Sequence, residues 1–406
     1  MRSPTFVAAV CLLLVFSHLN AQTPPNAPLT LEAALARAVA FNPTIAAARL
    51  RRATDLAGVA VARERLNPEA RVEFERETPT QAYGLSVPWE TGGKRARRIA
   101  VSEAALAAGE AEIARIEIDV RAQVRRSYIS RVIAEARLAL VEELRSIATR
   151  ARDAADQRFQ AGSSPRLEVL QAQLALSQAE NEATAVGGTA TAARTELNAL
   201  LGFPLEAPTV VAPPSEASLA LTFPDALARA QASNAELLVL DRRLTEQRAR
   251  IALARALQKP DVTPEVQITR GAEPEFSTGW RTAVAVTLPI LTTHRAGVQL
   301  EEATLAQLQR ERDAAAARIS GEVAAALAVA DAQRRLYIRY RDEILPQAVE
   351  VERIAEDAYR LGQTGIAALL QALQASREAR LQALQASADL QNALADLERA
   401  TGAPIP

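Results

Sequence analysis

The feature that most restricts the fold of this sequence is a pair of stretches in which apolar and polar residues alternate at period two. The apolar positions of the first stretch are Val72, Phe74, Tyr83, Leu85 and Val87. The second stretch lies about 200 residues later, with Val266, Ile268, Trp280, Val284, Val286 and Leu288. Each stretch contains a short turn-like segment, so the sequence predicts two β-hairpins, at about residues 70–88 and 262–289.

These four strands need a partner surface that the rest of the chain does not supply, because the remaining sequence is mostly Ala-rich helix. If the apolar face meets lipid, every backbone N–H and C=O group needs a partner and the sheet has to close without an edge. Membrane barrels need at least about eight strands. Four strands per chain therefore predict a barrel built from several copies, and the alternative is a pair of surface hairpins that cap a helical bundle.

The amino-terminal residues 1–21 predict export. They combine Arg2, an apolar run at residues 6–16 and a small residue at Ala21, which is the layout of a secretory signal peptide. The apolar run is too short to cross a bilayer as a helix. Cys11 is the only cysteine, and we expect it to leave with the signal peptide. The mature chain is then expected to have no disulfide, no cysteine zinc site and no thiol nucleophile.

The composition of the remaining chain argues against catalysis and nucleic-acid binding. Removing Arg2 from the 47 basic residues leaves 46 against 48 acidic ones, a net charge near −2 and no basic footprint for nucleic acid. His294 is the one remaining histidine. We therefore expect no cofactor, no metal site and no enzymatic activity. No later stretch has 18 consecutive apolar residues, so no transmembrane helix is predicted.

The chain is internally duplicated. The segment ALARAVAFN at 34–42 recurs as ALARAQASN at 226–234, and later matches settle at an offset of 200, with Gly162 on Gly362. We divide the chain into a first repeat at 22–203, a Pro-rich linker at 204–220 and a second repeat at 221–406. Each repeat has the order helix, helix, β-hairpin, long helix, tight turn and helix.

Helix boundaries are marked by capping residues and by proline. Thr30, Thr222 and Asn42 are predicted N-caps. The predicted helices of the first repeat include 44–66, 94–159 and 166–200; the longest extends to roughly 100 Å at 1.5 Å per residue. It keeps a seven-residue series of apolar or small residues that predicts coiled-coil-like packing: Ile99, Leu106, Ile113, Val120, Ser127, Ala134, Val141, Ala148 and Ala155.

Prolines stand where the period changes between strand and helix, at Pro68, Pro88, Pro260 and Pro289. Proline cannot donate a hydrogen bond to a strand ladder and disrupts a helix interior. The four residues are therefore predicted strand–helix junctions in both repeats.

With the duplication, one hairpin per repeat and these junctions in place, the chain resembles the TolC-like outer-membrane efflux channels. The turn motif FQAGSSPRLEVLQA at 159–172 and its twin YRLGQTGIAALLQA at 359–372 complete the resemblance. It implies a mainly α-helical homotrimer whose 12-stranded β-barrel, set in the outer-membrane lipid of a Gram-negative bacterium, continues into an α-helical barrel across the periplasm. No catalytic group is implied, and the channel would be passive.

The element PWETGGKR at 88–95 is similar to one found in the heavy-metal (CzcC-like) cation efflux branch of this family. Its Gly-Gly-Lys does not fit a phosphate-binding loop, because the preceding glycine and the following Ser or Thr are missing; a flexible, basic strand-to-helix corner is the interpretation we favour. The resemblance implies a periplasmic membrane-fusion (adaptor) protein and an inner-membrane pump of the RND type as partners.

The turns at 162–164 and 362–364 correspond to the periplasmic tips of the family, where the adaptor is contacted: Gly162, Ser163, Ser164, Gly362, Gln363 and Thr364. In the family an acidic residue after the tip often forms a ring that gates cations. Glu168 occupies that place in the first repeat, whereas Ala368 stands in the second. Gln171 and Gln371 complete the candidate gate.

Other functions remain open from the sequence. Within the same family, the cargo can instead be drugs or polypeptides of type I secretion. A periplasmic adaptor also has a long helical hairpin, but the duplication and the lack of compact β-domains disfavour it. A periplasmic hydrolase lacks a credible nucleophile–histidine pair.

Overall fold

The computed structural model describes residues 28–213 and 221–403. The first half contains α1 (Leu31–Phe41), α2 (Pro43–Arg63), β1 (Glu69–Phe74), β2 (Gln81–Ser86), α3 (Lys94–Gln160) and α4 (Arg166–Leu201). The second half contains α5 (Phe223–Ser233), α6 (Ala235–Leu257), β3 (Asp261–Ala272), β4 (Phe276–Thr287), α7 (Arg295–Arg339), a π-helical turn (Tyr340–Ile344), α8 (Leu345–Arg360) and α9 (Ile366–Thr401). The predicted signal peptide and residues 214–220 of the predicted linker lie outside the described residues.

The predicted helix caps are confirmed. The side chain of Thr30 accepts a hydrogen bond from the N–H of Ala33, at the start of α1. The side chain of Asn42 accepts from Thr44 and Ile45 at the start of α2. Each cap satisfies donors that a helix start leaves without an intrahelical partner. Thr222 and Asn234 cap α5 and α6 in the same way, so both halves open with the same local structure.

The longest helix, α3, has the predicted start and ends one residue beyond the predicted end. All nine positions of its seven-residue series are buried or half-buried, which confirms that this stripe faces other parts of the chain. The stripe packs first against α1 and α4, in a core with Val120, Val124 and Leu197, and near the far end of the helix against Tyr359 of α8.

The matching long rod of the second half contains an irregularity that the sequence analysis did not predict. Residues 295–360 form α7 and α8 with the π-helical turn between them. Pro346 follows this turn at the start of α8. Proline has no N–H to donate to the carbonyl four residues earlier, and its ring crowds that carbonyl. The wider turn just before Pro346 therefore lets the rod continue.

The described part of the predicted linker packs tightly against the helices. Val211 forms a parallel β-bridge with Leu29, and the hydroxyl of Thr209 donates to the side chain of Asn198. The buried hydroxyl of Tyr128 lies 2.7 Å from the carbonyl oxygen of Leu29 and 2.6 Å from that of Ala212. These contacts fasten residues 28–29 and 203–212 to α3 and α4.

Between residues 28 and 403, leaving aside 214–220, no helix combines the length and apolar character needed to cross a membrane.

Candidate functional site

The two hairpins form one antiparallel sheet of order β1-β2-β3-β4, which we call the ribbon. Residues directly opposite each other share a face of an antiparallel sheet. Because Val72 faces Tyr83, Tyr83 faces Ile268 and Ile268 faces Trp280, the apolar positions of all four strands collect on one side. This apolar face consists of Val72, Phe74, Tyr83, Leu85, Val266, Ile268, Trp280, Val284 and Val286, all exposed in the chain.

The opposite face of the ribbon is polar. Its main side chains are Glu69, Arg71, Glu73, Glu265, Gln267, Thr269 and Arg281. Arg71 lies 3.7 Å from Glu73, and the amide of Gln267 donates to Glu73 at 3.4 Å. The ribbon therefore has one side suited to hydrocarbon and one side suited to water, as predicted from the alternation.

Two short connections close the outer end of the ribbon. The first spans residues 75–80 and the second residues 273–275. Gln81 and Ala82 pair with β1 on one side and with Arg270 and Thr269 of β3 on the other. That pairing joins the two hairpins and has no signal in the local sequence.

Within the described chain, the ribbon ends in two unpaired edges. β1 pairs only with β2, and β4 pairs only with β3. Each edge presents a row of backbone N–H and C=O groups, which in a lipid environment require partners.

The four junction prolines lie where they were predicted. Pro68 and Pro260 immediately precede β1 and β3, and Pro88 and Pro289 follow β2 and β4 by two residues.

An ion pair between a buried lysine and a partly exposed aspartate joins the two hairpins at the inner end of the ribbon. The ammonium of Lys94, the first residue of α3, donates to the carboxylate of Asp261 at 2.7 Å, and the Lys94 side chain is only 7% exposed. The backbone N–H of Thr91 donates to the same carboxylate at 3.1 Å. Sequence reasoning missed this pair, although a lysine in the first helical turn, where acidic residues are favoured, was an available signal.

Two arginines of α3 hold the end of α2. Arg95 donates to the carbonyl of Arg63 at 3.1 Å, and Arg98 donates to that of Ala62 at 3.2 Å while it pairs with Glu90. The last carbonyls of a helix lack intrahelical partners and attract cations. Instead of the flexible corner suggested by the sequence, residues 89–98 are tied to both α2 and β3.

The two predicted tips have the same backbone geometry. Gly162 and Gly362 have φ values of 70° and 71°, the left-handed conformation in which glycine avoids a Cβ penalty. Ser163 and Gln363, the following residues, donate backbone hydrogen bonds to carbonyls five residues earlier, as in helix ends of the Schellman type. Ser164 and Thr364 are half-buried at these turns.

The candidate gate residues differ in their surroundings. Glu168 is half-buried and its Oε2 atom is enclosed without a hydrogen-bond partner. The pKa of Tyr359, near the end of α8, is raised first by burial and then by the negative charge of Glu168. The carboxylate of Glu168 therefore lies near the tip at residues 362–364. Gln171 is half-buried and Gln371 is exposed.

A charged cluster between α3, α8 and α9 was not predicted. The carboxylate of Glu352, 6% exposed, accepts from Ser376 and from Arg380, the latter at 2.9 Å. Arg380 also pairs with Glu143 of α3 at 3.1 Å. Beside it lies a cavity of about 560 Å³ that the π-helical turn helps to line. Across the described residues, no group of three or more His, Cys, Asp or Glu side chains is arranged to hold a metal ion.

Comparison with known proteins finds a family to which the first half of this chain is similar. Residues 34–203 match the sequence model of the family described as "Outer membrane efflux protein". The first repeat of this chain is therefore similar to members of that family. The match covers the first repeat from α1 to the end of α4, and the second repeat has the same order of elements.

Two relatives of this chain are metal-resistance proteins by name. The cobalt-zinc-cadmium resistance protein CzcC of Cupriavidus metallidurans is 31% identical over 272 residues, which are 65% of this chain and 63% of the relative. The nickel-cobalt-cadmium resistance protein NccC of Alcaligenes xylosoxydans xylosoxydans is 28% identical over 211 residues, 50% of this chain and 47% of the relative. The matched regions thus span less than two thirds of each relative.

Solved structures share the fold over nearly the whole chain. A membrane protein from Pseudomonas aeruginosa superposes with a TM-score of 0.77 at 20% identity and covers 92% of this chain and 90% of its own. The outer-membrane channel OprN gives a TM-score of 0.75 at 19% identity, over 92% of this chain and 89% of its own. At these identities the likeness concerns the fold alone.

Proposed function

We propose that this chain is the outer-membrane channel of a three-component efflux system and carries cargo passively from the periplasm to the exterior. The observation that carries this proposal is the ribbon, with its continuous apolar face, its polar face and its two unpaired edges. A sheet of this kind is stable in hydrocarbon only when its edges are closed.

Closure requires further copies of the chain. Four strands are fewer than the roughly eight that the smallest membrane barrels use, whereas three copies supply twelve. In such a homotrimer the apolar face contacts outer-membrane lipid and the polar face lines the lumen. The long helices, about 100 Å at 1.5 Å per residue, then extend from the barrel into the periplasm of a Gram-negative bacterium.

Heavy-metal cations are the cargo we propose, with an RND-type pump in the inner membrane and a periplasmic adaptor as partners. The names of the relatives CzcC and NccC support this choice. In the proposed arrangement the pump supplies the energy, and the adaptor contacts the tips at residues 162–164 and 362–364.

Conductance in planar bilayers tests the channel, and two adjacent residues of β4 provide a matched pair of variants. Val284 lies on the apolar face and Ala283 on the polar face. Val284→Lys is expected to cost about 2–4 kcal/mol on insertion near the bilayer midplane and to abolish most channel formation. Ala283→Lys should insert normally and alter only conductance or ion selectivity. Equal loss in both variants, or no conductance in the unmodified protein, would refute the proposal.

Glu168 is the proposed cation-selective gate, as three copies contribute three carboxylates. Glu168→Ala should weaken block by divalent cations, and Ala368→Glu, which adds a carboxylate at the matching place in the second repeat, should strengthen it. Unchanged current–voltage curves in the presence of a divalent cation would remove Glu168 from the gate while leaving the channel itself intact.

The cargo is tested by deleting the gene in its native host and measuring growth on cobalt, zinc, cadmium and nickel salts. Greater sensitivity to these metals, restored by the unmodified gene, supports metal efflux. Sensitivity to drugs alone, or loss of a secreted polypeptide, would assign the channel to a different exporter.

A further inference from the structure

The two connections that lead from the ribbon into the long helices share a cation at the helix start and a left-handed residue just before it. We define corner 1 as residues 87–94, between β2 and α3, and corner 2 as residues 288–295, between β4 and α7. Lys94 and Arg295, both cations, are the first residues of their helices. The left-handed residues that precede them are Gly93, at φ 75° and ψ 20°, and His294, at φ 54° and ψ 8°.

The strands that begin opposite these corners are also equivalent. Glu69 faces Ser86 in the first hairpin, and Asp261 faces Thr287 in the second. The first residues of β1 and β3 therefore occupy the same place in their hairpins, and both are acidic.

Corner 1 is clamped onto the start of β3 within the chain. Lys94 pairs with Asp261, whose carboxylate also accepts from the N–H of Thr91. Trp89 and Val262 exchange two backbone hydrogen bonds, of 2.8 and 3.3 Å. Corner 1 thus contacts the beginning of the next hairpin through a backbone bridge and the ion pair of the buried Lys94.

Corner 2 has no such neighbour among the described residues. Leu291 is 97% exposed, and Thr292 and Arg295 are exposed as well. Glu69, the acidic residue at the start of β1, is exposed and forms no ion pair within residues 28–213 and 221–403. Three strand spacings of about 4.8 Å separate β1 from β4 by roughly 14 Å, so corner 2 does not reach β1 of its own chain.

We propose that corner 2 clamps the start of β1 in the next copy of the chain, with Arg295 paired to Glu69 of that copy. By the equivalence of the two repeats, Arg295 takes the place of Lys94, Thr292 that of Thr91, and Glu69 that of Asp261. The charges match in both corners, and an arginine–carboxylate pair is well suited to an interface. This contact rests on the proposed closure of the ribbon into a ring and specifies how neighbouring copies meet.

Disulfide cross-linking tests the contact, and corner 1 supplies the matched control. Trp89 and Val262 form a hydrogen-bonded antiparallel pair, for which Cα atoms lie about 5.5 Å apart, within the range of a disulfide. Their counterparts are Ile290 and Ala70. In a Cys11→Ser background, the pair Trp89→Cys and Val262→Cys should oxidise within one chain and migrate as a monomer on a non-reducing gel.

The pair Ile290→Cys and Ala70→Cys should instead give dimers and trimers that reductant removes. In this cysteine pair, Arg295→Glu should slow cross-linking by roughly tenfold, since it places like charges in contact, and adding Glu69→Arg should restore the rate. The contact is refuted if this pair gives only monomers while the corner 1 pair oxidises and the protein conducts. That result would not affect the proposed channel function. A covalent trimer without conductance would support the contact and refute the channel.

Discussion

Arg380 pairs with the buried Glu352 and with the exposed Glu143, and the two pairs are expected to differ in their contribution to stability. Arg380→Met keeps most of the side-chain volume but leaves Glu352, which is 6% exposed, without its cationic partner. Breaking a buried pair by removal of one partner costs about 3–5 kcal/mol, because an uncompensated charge stays buried. Ser376 still donates to this carboxylate, so we expect a cost of about 3 kcal/mol, at the lower end of that range.

Two further variants separate the effect of burial from that of charge. Glu143, whose side chain is 55% exposed, pairs with the same arginine. Glu143→Gln should therefore cost only about 0–1 kcal/mol, the usual value for an exposed pair. The double variant Glu352→Met with Arg380→Met should recover most of the loss of Arg380→Met, since no buried charge remains.

Urea unfolding in detergent micelles, followed by circular dichroism at one protein concentration, measures these differences in the free energy of unfolding. A fixed concentration is needed because assembly contributes to the stability of an oligomer. The reasoning is refuted if Arg380→Met costs no more than Glu143→Gln, or if the double variant is as unstable as the sum of its two single changes.

Three other predictions concern single positions in the same unfolding assay. Burial raises the pKa of Tyr128 to about 12 from an ordinary value of 10. The folded state therefore holds the phenol proton more tightly than the unfolded state does. The free energy of unfolding should keep its full value below pH 10 and fall by about 2–3 kcal/mol as the pH rises to 12. The variant Tyr128→Phe should lack this loss. Gly402→Ala should destabilise the fold by more than about 1 kcal/mol, because φ at Gly402 is 71° and a Cβ there would lie 2.2 Å from a backbone carbonyl oxygen of α5. Gly188→Ala, in α4 and with open space around it, should instead stabilise the fold by about 0.5–1 kcal/mol. Equal effects of the two substitutions would contradict this reasoning. Asp261→Asn leaves the buried Lys94 without its carboxylate partner, whereas Lys94→Met leaves only a carboxylate that is 41% exposed. Asp261→Asn should therefore lower the free energy of unfolding more than Lys94→Met does. The reverse order would show that burial does not decide the cost.

Features that depend on local sequence were predictable. The hydroxyl of Thr30 and the amide of Asn42 cap helices because the donors they satisfy lie within three residues. The two faces of the ribbon follow from alternation alone, since a strand places successive side chains on opposite sides. The seven-residue series of α3 predicted its buried stripe for the same reason of fixed geometry.

Features that depend on partners distant in sequence were not predictable. Lys94 and Asp261 are 167 residues apart, and Arg380 and Glu143 are 237 residues apart. Such charges look like ordinary surface residues until the fold brings them together. The π-helical turn before Pro346 was missed because a change of helical period has no residue-type signature of its own; the proline was the only local signal. The candidate gate stays a prediction, because the place of Glu168 relative to the lumen depends on the other copies.

In the proposed outer-membrane channel, the open rows of backbone groups along β1 and β4 also have a consequence before the chain is inserted into the membrane. Until neighbours occupy them, any extended peptide, including a second molecule in the wrong alignment, can hydrogen-bond there. Membrane insertion of newly exported molecules is therefore expected to compete with their aggregation. The yield of functional protein should fall as the export rate rises, and helper proteins that shield exposed strands should raise it.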